Sequence, residues 1–386
     1  MAYLEFPLVL LIVAALAYQV LALYSLGRLF TLPGPKPLEG PQPGITVFKP
    51  VKGAEATTRE CLTTFLEQDY HPFEVIFGVA DPADPVLPLL EDLVQAYPEH
   101  QVSVAICPED RGNNPKVSIL QQLEPRVRYD LLVVADGDVK VGPDFLGRVA
   151  AALAEPGVGL VSCPYRAGPV HTLGAILEAL TISADFIPSV AVARQVEGIT
   201  FALGAALALP RPVLKNLGGF AAIADHLADD YQLGWLVHRQ GLAVRLLPYV
   251  VETVNPQMSF RDYFLHQLRW TRTYRVCRPG GYLAYGVTHG LVFSLILWLA
   301  SGCNFIALAL VGAVVAVRGL VALVSERLCL RGNLPAAAFL LLPGKDLLSF
   351  LLWGLSFSGN YVTWRGKTFR LDREGRLLEM GGGPEG

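Results

Sequence analysis

The feature that most constrains this chain is the placement of its apolar segments. The run from Phe6 to Leu26 carries no charge, and it is long enough to cross the hydrocarbon core of a membrane as a helix, which takes about 20 residues. Further apolar runs cover residues 285–300 and 305–324, and a broken one covers 334–359. The stretch between the first run and the later ones alternates like a globular domain. This pattern predicts a multi-pass integral membrane protein with anchors on both sides of one domain.

The charges beside the first apolar run predict how it is oriented. A cleaved signal peptide is the alternative for this run, but its start carries the acidic Glu5 where a signal peptide carries basic residues. Arg28 and Lys36 follow the run, and basic residues near a span favour the cytoplasmic side. We therefore expect a retained anchor and a cytoplasmic domain. The composition, rich in Ala, Leu, Gly and Pro, is typical of a bacterial protein, so the expected location is the bacterial inner membrane.

Composition excludes several other classes of protein. Hydrophobic residues make up 52% of the chain and charged residues 17%, which is unlike an ordinary soluble protein. The formal net charge of −3 argues against a nucleic-acid partner, because binding to a phosphate backbone requires a basic excess. The six cysteines lie far apart without a C-x-x-C pair, so the sequence indicates neither a zinc site nor a disulfide framework.

The globular part alternates between strand-like and helix-like segments. Short apolar runs predict strands, and longer amphipathic runs predict helices. Such alternation is typical of an α/β fold with a doubly wound, mainly parallel sheet, in which ligands bind beyond the carboxyl ends of the strands. The predicted strands are Ile45–Phe48, Glu74–Val79, Val102–Ile106 and Leu131–Ala135, and the predicted helices are Glu55–Gln68, Val86–Tyr97 and Pro115–Leu123.

The predicted organisation has six parts. A Pro/Gly-rich linker separates the first anchor from the domain, because prolines at this density cannot continue a helix. The basic tail favours the cytoplasm, which requires an even number of crossings after the domain. The parts are an N-terminal transmembrane anchor (1–30), the linker (31–44), the globular domain (45–258), an amphipathic interfacial segment (259–282), a C-terminal transmembrane region (283–364) and a cytoplasmic tail (365–386).

Acidic residues follow two of the predicted strands. Asp81 and Asp84 come after the second strand, where a carboxylate can accept hydrogen bonds from a base or a ribose, although a turn-forming Asp before Pro is an equal alternative. Asp136 and Asp138 end the fourth strand with only Gly137 between them. Two carboxylates so spaced can bind a divalent cation that also binds a diphosphate, and a simple Asp/Gly turn is the alternative.

A third acidic pair, Asp229 and Asp230, precedes a helix-like segment. Adjacent carboxylates raise each other's proton affinity, which suits one of them to act as a general base. Asp229 could instead cap the helix. Spacing alone does not assign the two roles.

Residues 259–276 place aromatic side chains among arginines directly before the C-terminal apolar region. One interpretation is a basic amphipathic helix on the bilayer. Another is a functional segment in which an arginine neutralises a pyrophosphate and a tryptophan lies near the acceptor. The two interpretations are compatible. Upstream, the small and apolar residues within 171–204 fit a lipid groove or the packing of core helices.

Together these motifs resemble the ceramide glucosyltransferase-like family of membrane glycosyltransferases, which includes bacterial enzymes that glycosylate hopanoids. The family pattern is an Asp after an early strand, a D-x-D-like site, an E-D-Y-like site and a (Q/R)-x-x-R-W motif before the C-terminal membrane helices. The matching residues here are Asp81, Asp136 with Asp138, Asp230, and Arg269-Trp270, and the tail Trp364-Arg365-Gly366 is also similar. The chain departs from the pattern at His266, which stands in place of Gln or Arg, and at Asp229, which stands in place of Glu.

The resemblance implies a GT-A fold and an inverting hexosyltransferase. It implies that Asp230 is the base, that Arg269 and Trp270 are catalytic, and that Asp136 and Asp138 hold Mg²⁺ or Mn²⁺. It places Asp81, Asp84, Lys116, Asp136 and His266 at the donor, with Lys116 near the phosphates; from the residues alone, Lys116 is only in a loop that leads into a helix.

The implied donor is a UDP-sugar and the implied acceptor a membrane lipid, either ceramide or a hopanoid polyol such as bacteriohopanetetrol. A processive polysaccharide synthase is disfavoured because it needs more spanning helices. An inactive lipid-binding scaffold is the alternative from another class, and it predicts a broken acidic set.

Overall fold

The structure, a computed structural model, describes residues 2–36, 38, 40–99, 101–364 and 367–379. Its strands are β1 (Ile45–Pro50), β2 (Phe73–Val79), β3 (Gln101–Ile106), β4 (Leu131–Ala135), β5 (Val139–Lys140), β6 (Val158–Ser162), β7 (Tyr165–Ala167), β8 (Ala206–Pro210), β9 (Ala243–Leu246), β10 (Val251–Thr253), β11 (Tyr361–Trp364), β12 (Lys367–Leu371) and β13 (Leu377–Glu379). Its α-helices are α1 (Ala2–Phe30), α2 (Thr58–Thr63), α3 (Leu87–Ala96), α4 (Pro115–Leu123), α5 (Phe145–Leu153), α6 (Leu173–Thr181), α7 (Ile187–Glu197), α8 (Arg211–Asn216), α9 (Asp229–Arg239), α10 (Phe260–Cys277), α11 (Pro279–Tyr285), α12 (Gly290–Ala300), α13 (Phe305–Val324) and α14 (Leu342–Leu355).

The described chain divides into two compact units. The sheet unit comprises Leu32–Tyr165 and Ile199–Val254, and the helical unit comprises the chain up to Thr31, Arg166–Gly198 and the chain from Asn255 onward. This division differs from the predicted continuous domain over 45–258, because α6 and α7 belong to the helical unit. Their sequence is apolar enough to pack among helices instead of against the sheet.

A mixed sheet of seven strands organises the sheet unit, in the order β3-β2-β1-β4-β8-β6-β9. Strands β1, β2, β3 and β4 run parallel, and β8 runs antiparallel to both β4 and β6. β4 consists of apolar residues that are almost all buried, as expected for a central strand covered on both faces. The carboxyl ends of β1, β2 and β4 therefore meet at one edge, where ligands bind in such sheets.

The core of the sheet unit packs helices against this sheet. Phe48 of β1 meets Phe220 edge to face at 6.1 Å, and both side chains are fully buried. The same apolar cluster includes Leu120 of α4 and Val237 of α9. Helices α4 and α9 are thus anchored by their apolar faces, and their first turns lie near the sheet edge.

The four predicted strands and two of the three predicted helices agree closely with the structure. The remaining predicted helix, Glu55–Gln68, is shorter in the structure, where α2 ends at Thr63. Beyond it the backbone forms tighter turns, in which the amide of Phe65 donates to the carbonyl of Leu62 and the amide of Leu66 to the carbonyl of Thr63. The tail differs as well: β11, β12 and β13 form a small antiparallel sheet, which the sequence did not lead us to expect. Arg365, Gly366 and residues 380–386 of the predicted tail lie outside the described residues.

Four helical segments of the helical unit are long and apolar enough to span a membrane. They are Glu5–Phe30, Leu173–Glu197, Phe305–Cys329 and Ala336–Ser358, and a fifth span results if the bent pair Pro279–Thr288 and Gly290–Ala300 is counted as one. The segment Leu173–Glu197 was not predicted as a span. The helical unit is therefore built as a membrane region, in agreement with the predicted integral membrane protein.

Candidate active site

The carboxyl edge of the sheet places Asp136 and Asp138 directly after β4, on either side of Gly137. The backbone amide of Asp136 is held by the carbonyl of Ala205 at 3.1 Å, which fixes the end of the strand. Both side chains open toward solvent, and that of Asp136 is 41% exposed. The pKa of the Asp138 carboxyl is nevertheless raised, first because the surrounding protein reduces its solvation and second because the negative charge of Asp136 lies nearby.

Lys116 links the second and third acidic sites. Its ammonium lies 2.6 Å from Oδ1 of Asp136 and 3.6 Å from Oδ2 of Asp229, with only 12% of the side chain exposed. Burial alone would lower the pKa of Lys116, but the carboxylates of Asp136 and Asp229 outweigh it and raise that pKa. Lys116 is therefore a fixed positive charge at the centre of the acidic cluster.

Asn114 positions Lys116 and the third acidic loop together. It is fully buried, and as the N-cap of α4 its Oδ1 accepts hydrogen bonds from the amides of Lys116 and Val117. Its Nδ2 donates to the carbonyl of His226 at 2.8 Å and approaches Oδ1 of Asp229 at 3.4 Å. One side chain thus ties the start of α4 to the loop that leads into α9.

Asp230 lies in the first turn of α9 and is half-buried. The protein around it and the neighbouring Asp229 raise the pKa of Asp230 to about 7, against a partial lowering by Lys116. A carboxyl group with such a pKa can accept a proton near neutral pH. Asp229 is the first residue of the helix and the N-cap is Ala228, so the alternative that Asp229 caps the helix does not hold.

Gly204 gives Asp230 its space. A Cβ atom at this position would lie 2.8 Å from Oδ2 of Asp230, closer than atoms normally approach. Gly234, in α9, is similarly tight against the backbone of Phe201 and Ala202. The absence of side chains at these two glycines lets the loop before β8 lie directly on the first turns of α9.

Lys49 is a functional candidate that the sequence analysis missed. Its side chain is fully buried, its Nζ donates to the backbone carbonyl of Asp136, and it lies 4.0 Å from the ring centre of Phe65. Burial lowers the pKa of Lys49 to about 8, although the charges of Asp138 and Asp136 counteract part of this effect. The signal was a lysine inside an otherwise buried, mostly apolar strand, where an unpaired charge is costly.

The two predicted donor residues after β2 have different local contacts. Asp81 is exposed at the end of the strand, and its Oδ1 accepts from the amide of Ala83 at 2.8 Å. Asp84 is buried, and its carboxylate accepts from the amides of Gly53 and Val86, each at 2.9 Å. The contacts of Asp84 are those of a residue that holds two loops, whereas Asp81 remains accessible.

The residues at the end of β4 fit a divalent cation. Among the described residues no three His, Cys, Asp or Glu side chains form a complete metal site. The pair Asp136 and Asp138 supplies oxygen ligands, as Mg²⁺ and Mn²⁺ require, and leaves further positions for diphosphate oxygens. A cation here would also relieve the repulsion that raises the pKa of Asp138.

The remaining predicted residues, His266, Arg269 and Trp270, lie on α10 in the helical unit. The His266 ring lies 4.7 Å from the Trp270 ring, and its Nδ1 lies 3.2 Å from Oε1 of Glu178 on α6. Gln267 donates to the other oxygen of Glu178 at 2.8 Å. Glu178 therefore orients this part of α10.

Two other arginines of α10 have structural partners. Arg272 donates to the carbonyl of Tyr361, and Arg275 donates to the carbonyl of Gly359 and to the side chain of Asn360. These contacts hold the start of the C-terminal sheet. The basic character of α10 is thus partly explained by binding to its own chain.

The chain is similar in sequence to known ceramide glucosyltransferases. The chain is 22% identical to ceramide glucosyltransferase 1 of Caenorhabditis elegans over 262 residues, which is 67% of this chain and 54% of the relative. It is 32% identical to the ceramide glucosyltransferase of Komagataella phaffii over 127 residues, 32% of this chain and 24% of the relative. The chain thus spans about half, or less, of the length of these curated relatives.

A solved structure supports the fold. The mannosyltransferase PcManGT from Pyrobaculum calidifontis, in complex with GDP-Man and Mn²⁺, superposes with a TM-score of 0.57 at 20% identity, covering 92% of this chain and 97% of that chain. The predicted α/β fold of the GT-A type is confirmed. The sequence profile of the family described as Glycosyl transferase family 21 matches residues 7–377. The chain therefore belongs to glycosyl transferase family 21, and the resemblance to ceramide glucosyltransferases is confirmed.

Proposed function

We propose that this chain is an inverting glycosyltransferase that moves a hexose from a UDP-sugar to the hydroxyl of a membrane lipid, with ceramide as the acceptor and glucose as the sugar. The observation that carries the proposal is the contact of Lys116 with both Asp136 and Asp229, which joins the D-x-D-like site to the site of the base. A base and a cationic diphosphate site at one sheet edge are what sugar transfer from a nucleotide requires.

Asp230 is the proposed general base. Its carboxylate takes the proton of the lipid hydroxyl as the oxygen attacks the anomeric carbon, and the bond from that carbon to the diphosphate oxygen breaks. Attack from the face opposite the leaving group inverts the configuration in one step. The raised pKa of Asp230, about 7, supports this role, because such a carboxylate is both ionised and basic enough near neutral pH.

The leaving UDP gains negative charge as the bond breaks, and this chain supplies positive charge at the same place. Lys116 is held there as a cation, and Lys49 lies beneath Asp136. Asp136 and Asp138 would hold Mg²⁺ or Mn²⁺, which supplies further positive charge to the diphosphate. Asp81, accessible at the end of β2, is proposed to contact the base or the ribose of the donor, with Asp84 holding the loop beside it.

The helical unit supplies the proposed lipid side. Arg269 is proposed to stabilise the diphosphate, and Trp270 to lie against the acceptor, with His266 and Glu178 setting the orientation of the indole. The apolar helices support a location in a membrane. We propose that the protein lies in a bacterial inner membrane with its catalytic residues on the cytoplasmic side, because the basic residues after α1 favour that side.

The test is transfer of radiolabel from UDP-glucose and UDP-GlcNAc to ceramide and to a hopanoid polyol by membranes that contain the protein. We expect labelled ceramide from UDP-glucose, and its loss in Asp230→Asn and Asp136→Ala. Asp92→Asn is the matched control, because this carboxylate is 66% exposed and its partner is the exposed Arg59. Label on the hopanoid alone would show that the hopanoid, and not ceramide, is the acceptor. Activity that survives in both variants would refute the roles proposed for Asp230 and Asp136.

A further inference from the structure

A polar cavity lies among the apolar helices of the helical unit. Its polar lining comes from Tyr18 and Gln19 of α1, Asp185, His289 at the start of α12, Arg318 of α13 and Asp346 of α14. Leu16, Leu291 and Val314 supply apolar lining. None of the residues proposed above for sugar transfer lines it.

Four charged side chains neutralise each other here: Asp185, Arg318 and Asp346 line the cavity, and the buried Lys345 binds both carboxylates. Asp185 binds Arg318 and Lys345, while Asp346 lies 3.0 Å from Nε of Arg318 and 3.0 Å from Nζ of Lys345. Their side chains are between 0% and 13% exposed. Two carboxylates and two cations leave no net charge. Buried charges inside a membrane region are costly, and they commonly mark a binding site or a pathway.

Two further polar groups of the cavity lack a partner in the described chain. Oε1 of Gln19 and Nε2 of His289 are both buried without a hydrogen bond, in residues that are 5% and 7% exposed. Next to Gln19, the hydroxyl of Tyr18 is satisfied by Ser189 at 3.1 Å. Buried polar atoms in folded proteins are nearly always paired, so these two atoms point to a missing partner.

The backbone is irregular at the same place. Asp185 lies in a π-helical turn, Ile182–Phe186, between α6 and α7. His289 lies at the break of the bent pair Pro279–Thr288 and Gly290–Ala300, where the axis turns by 49°. π-Helical turns and broken helices within membrane regions are frequent at binding sites.

From these features we infer that the cavity binds the polar head of an uncharged lipid that carries a hydroxyl or an amide. A phosphate head group would need an unpaired cation, and Arg318 in the cavity lining is already paired with two carboxylates. A hydroxyl or amide instead donates to Oε1 of Gln19 and completes the hydrogen bonding of His289. The source of this head is either the acceptor, bound here before its hydroxyl reaches Asp230, or a lipid that stays bound, and only the first source depends on the proposed function.

The test is photolabelling of the full chain in phosphatidylcholine nanodiscs. One sample contains a trace of ceramide with a diazirine beside its amide, the other a phosphatidylcholine with the diazirine near its head group, and labelled peptides are identified by mass spectrometry. We expect the ceramide probe to label the peptides around residues 15–19 and 285–292, and unlabelled ceramide to compete. Gln19→Leu and His289→Phe should each reduce this labelling by about 2- to 10-fold, the effect of one lost hydrogen bond.

Tyr24→Phe is the matched control, because it removes a hydroxyl from the same helix at a residue that is 55% exposed and outside the cavity. The melting temperature of each variant checks its folding. Equal labelling by the two probes, no labelling of these peptides, or labelling that both folded variants retain would overturn the inference. Asp230→Asn should label normally while transfer is lost, so a failure of the proposed reaction is seen separately. A raised KM for ceramide in Gln19→Leu identifies the acceptor, and unchanged transfer identifies a resident lipid.

Discussion

Replacing Gly204 by alanine should slow sugar transfer without unfolding the protein. The new Cβ would lie 2.8 Å from Oδ2 of Asp230, whereas ordinary contact begins at 3.4 Å, so the carboxylate must retreat by about 0.6 Å. The clash is with the end of a side chain, so the free energy of unfolding should change by less than about 1 kcal/mol. A misplacement of about 1 Å can cost 100-fold in rate, so we expect kcat to fall roughly 10- to 100-fold.

The assay is initial-rate transfer from the donor that the wild-type protein uses, with thermal unfolding measured on the same preparations. Gly147→Ala in α5 is the control, because a Cβ there meets only Tyr70 at 3.8 Å, an ordinary contact. Wild-type kcat in folded Gly204→Ala would refute the argument that the position of Asp230 limits the reaction. Equal losses in both alanine variants would point to a general effect of the substitution.

Four further predictions concern the same cluster. Since Asp230 must be ionised to accept a proton and its pKa is about 7, kcat/KM should fall about tenfold per pH unit below that value, and a profile that stays flat down to pH 5 would contradict the assignment. Lys116→Met should raise the pKa of Asp230 further, because the positive charge of Lys116 lowers it, and the pH–rate profile should shift to higher pH. The same variant should lower the free energy of unfolding by about 1–3 kcal/mol in chemical denaturation, because Asp136 loses its cation. Asn114→Ala should lower the free energy of unfolding by about 1–2 kcal/mol in the same measurement, because it removes the N-cap of α4. Asn114→Asp keeps an oxygen that can cap the helix, so its loss of stability should be smaller. Removal of divalent cations with EDTA should abolish transfer, Mn²⁺ or Mg²⁺ should restore it, and Asp138→Asn should require more metal for half-maximal rate; full activity in EDTA would exclude the metal role.

Local patterns in the sequence were enough to predict the first half of the sheet and one side of the site. The strands before residue 136 are short apolar runs, acidic residues follow two of them, and α4 begins at Pro115 after the capping residue Asn114. In a parallel arrangement, such strand ends meet at one edge whatever the loops between them do. The placement of Asp81 and Asp136 at the same edge of the sheet therefore followed from topology.

Features that depend on distant contacts could not be predicted in this way. Gly204 matters only because α9 passes beside it, and Lys49 only because its Nζ reaches the carbonyl of Asp136, 87 positions later. β8 pairs antiparallel between β4 and β6, and no local pattern reports the direction of a strand. The segment Leu173–Glu197 was ambiguous because an apolar run fits a core helix and a span equally well.

The paired charges of the helical unit also have a consequence for biosynthesis. The ion-pair partners of Asp185 are synthesised after it: Arg318 lies 133 positions later and Lys345 lies 160 positions later. At about 5–20 residues per second, the ribosome delivers these partners roughly 7 to 30 s after the aspartate. Until then the π-helical turn Ile182–Phe186 carries an uncompensated carboxylate, which disfavours its burial among the helices. The order of translation thus makes the C-terminal helices the step that completes the packing of a segment made much earlier.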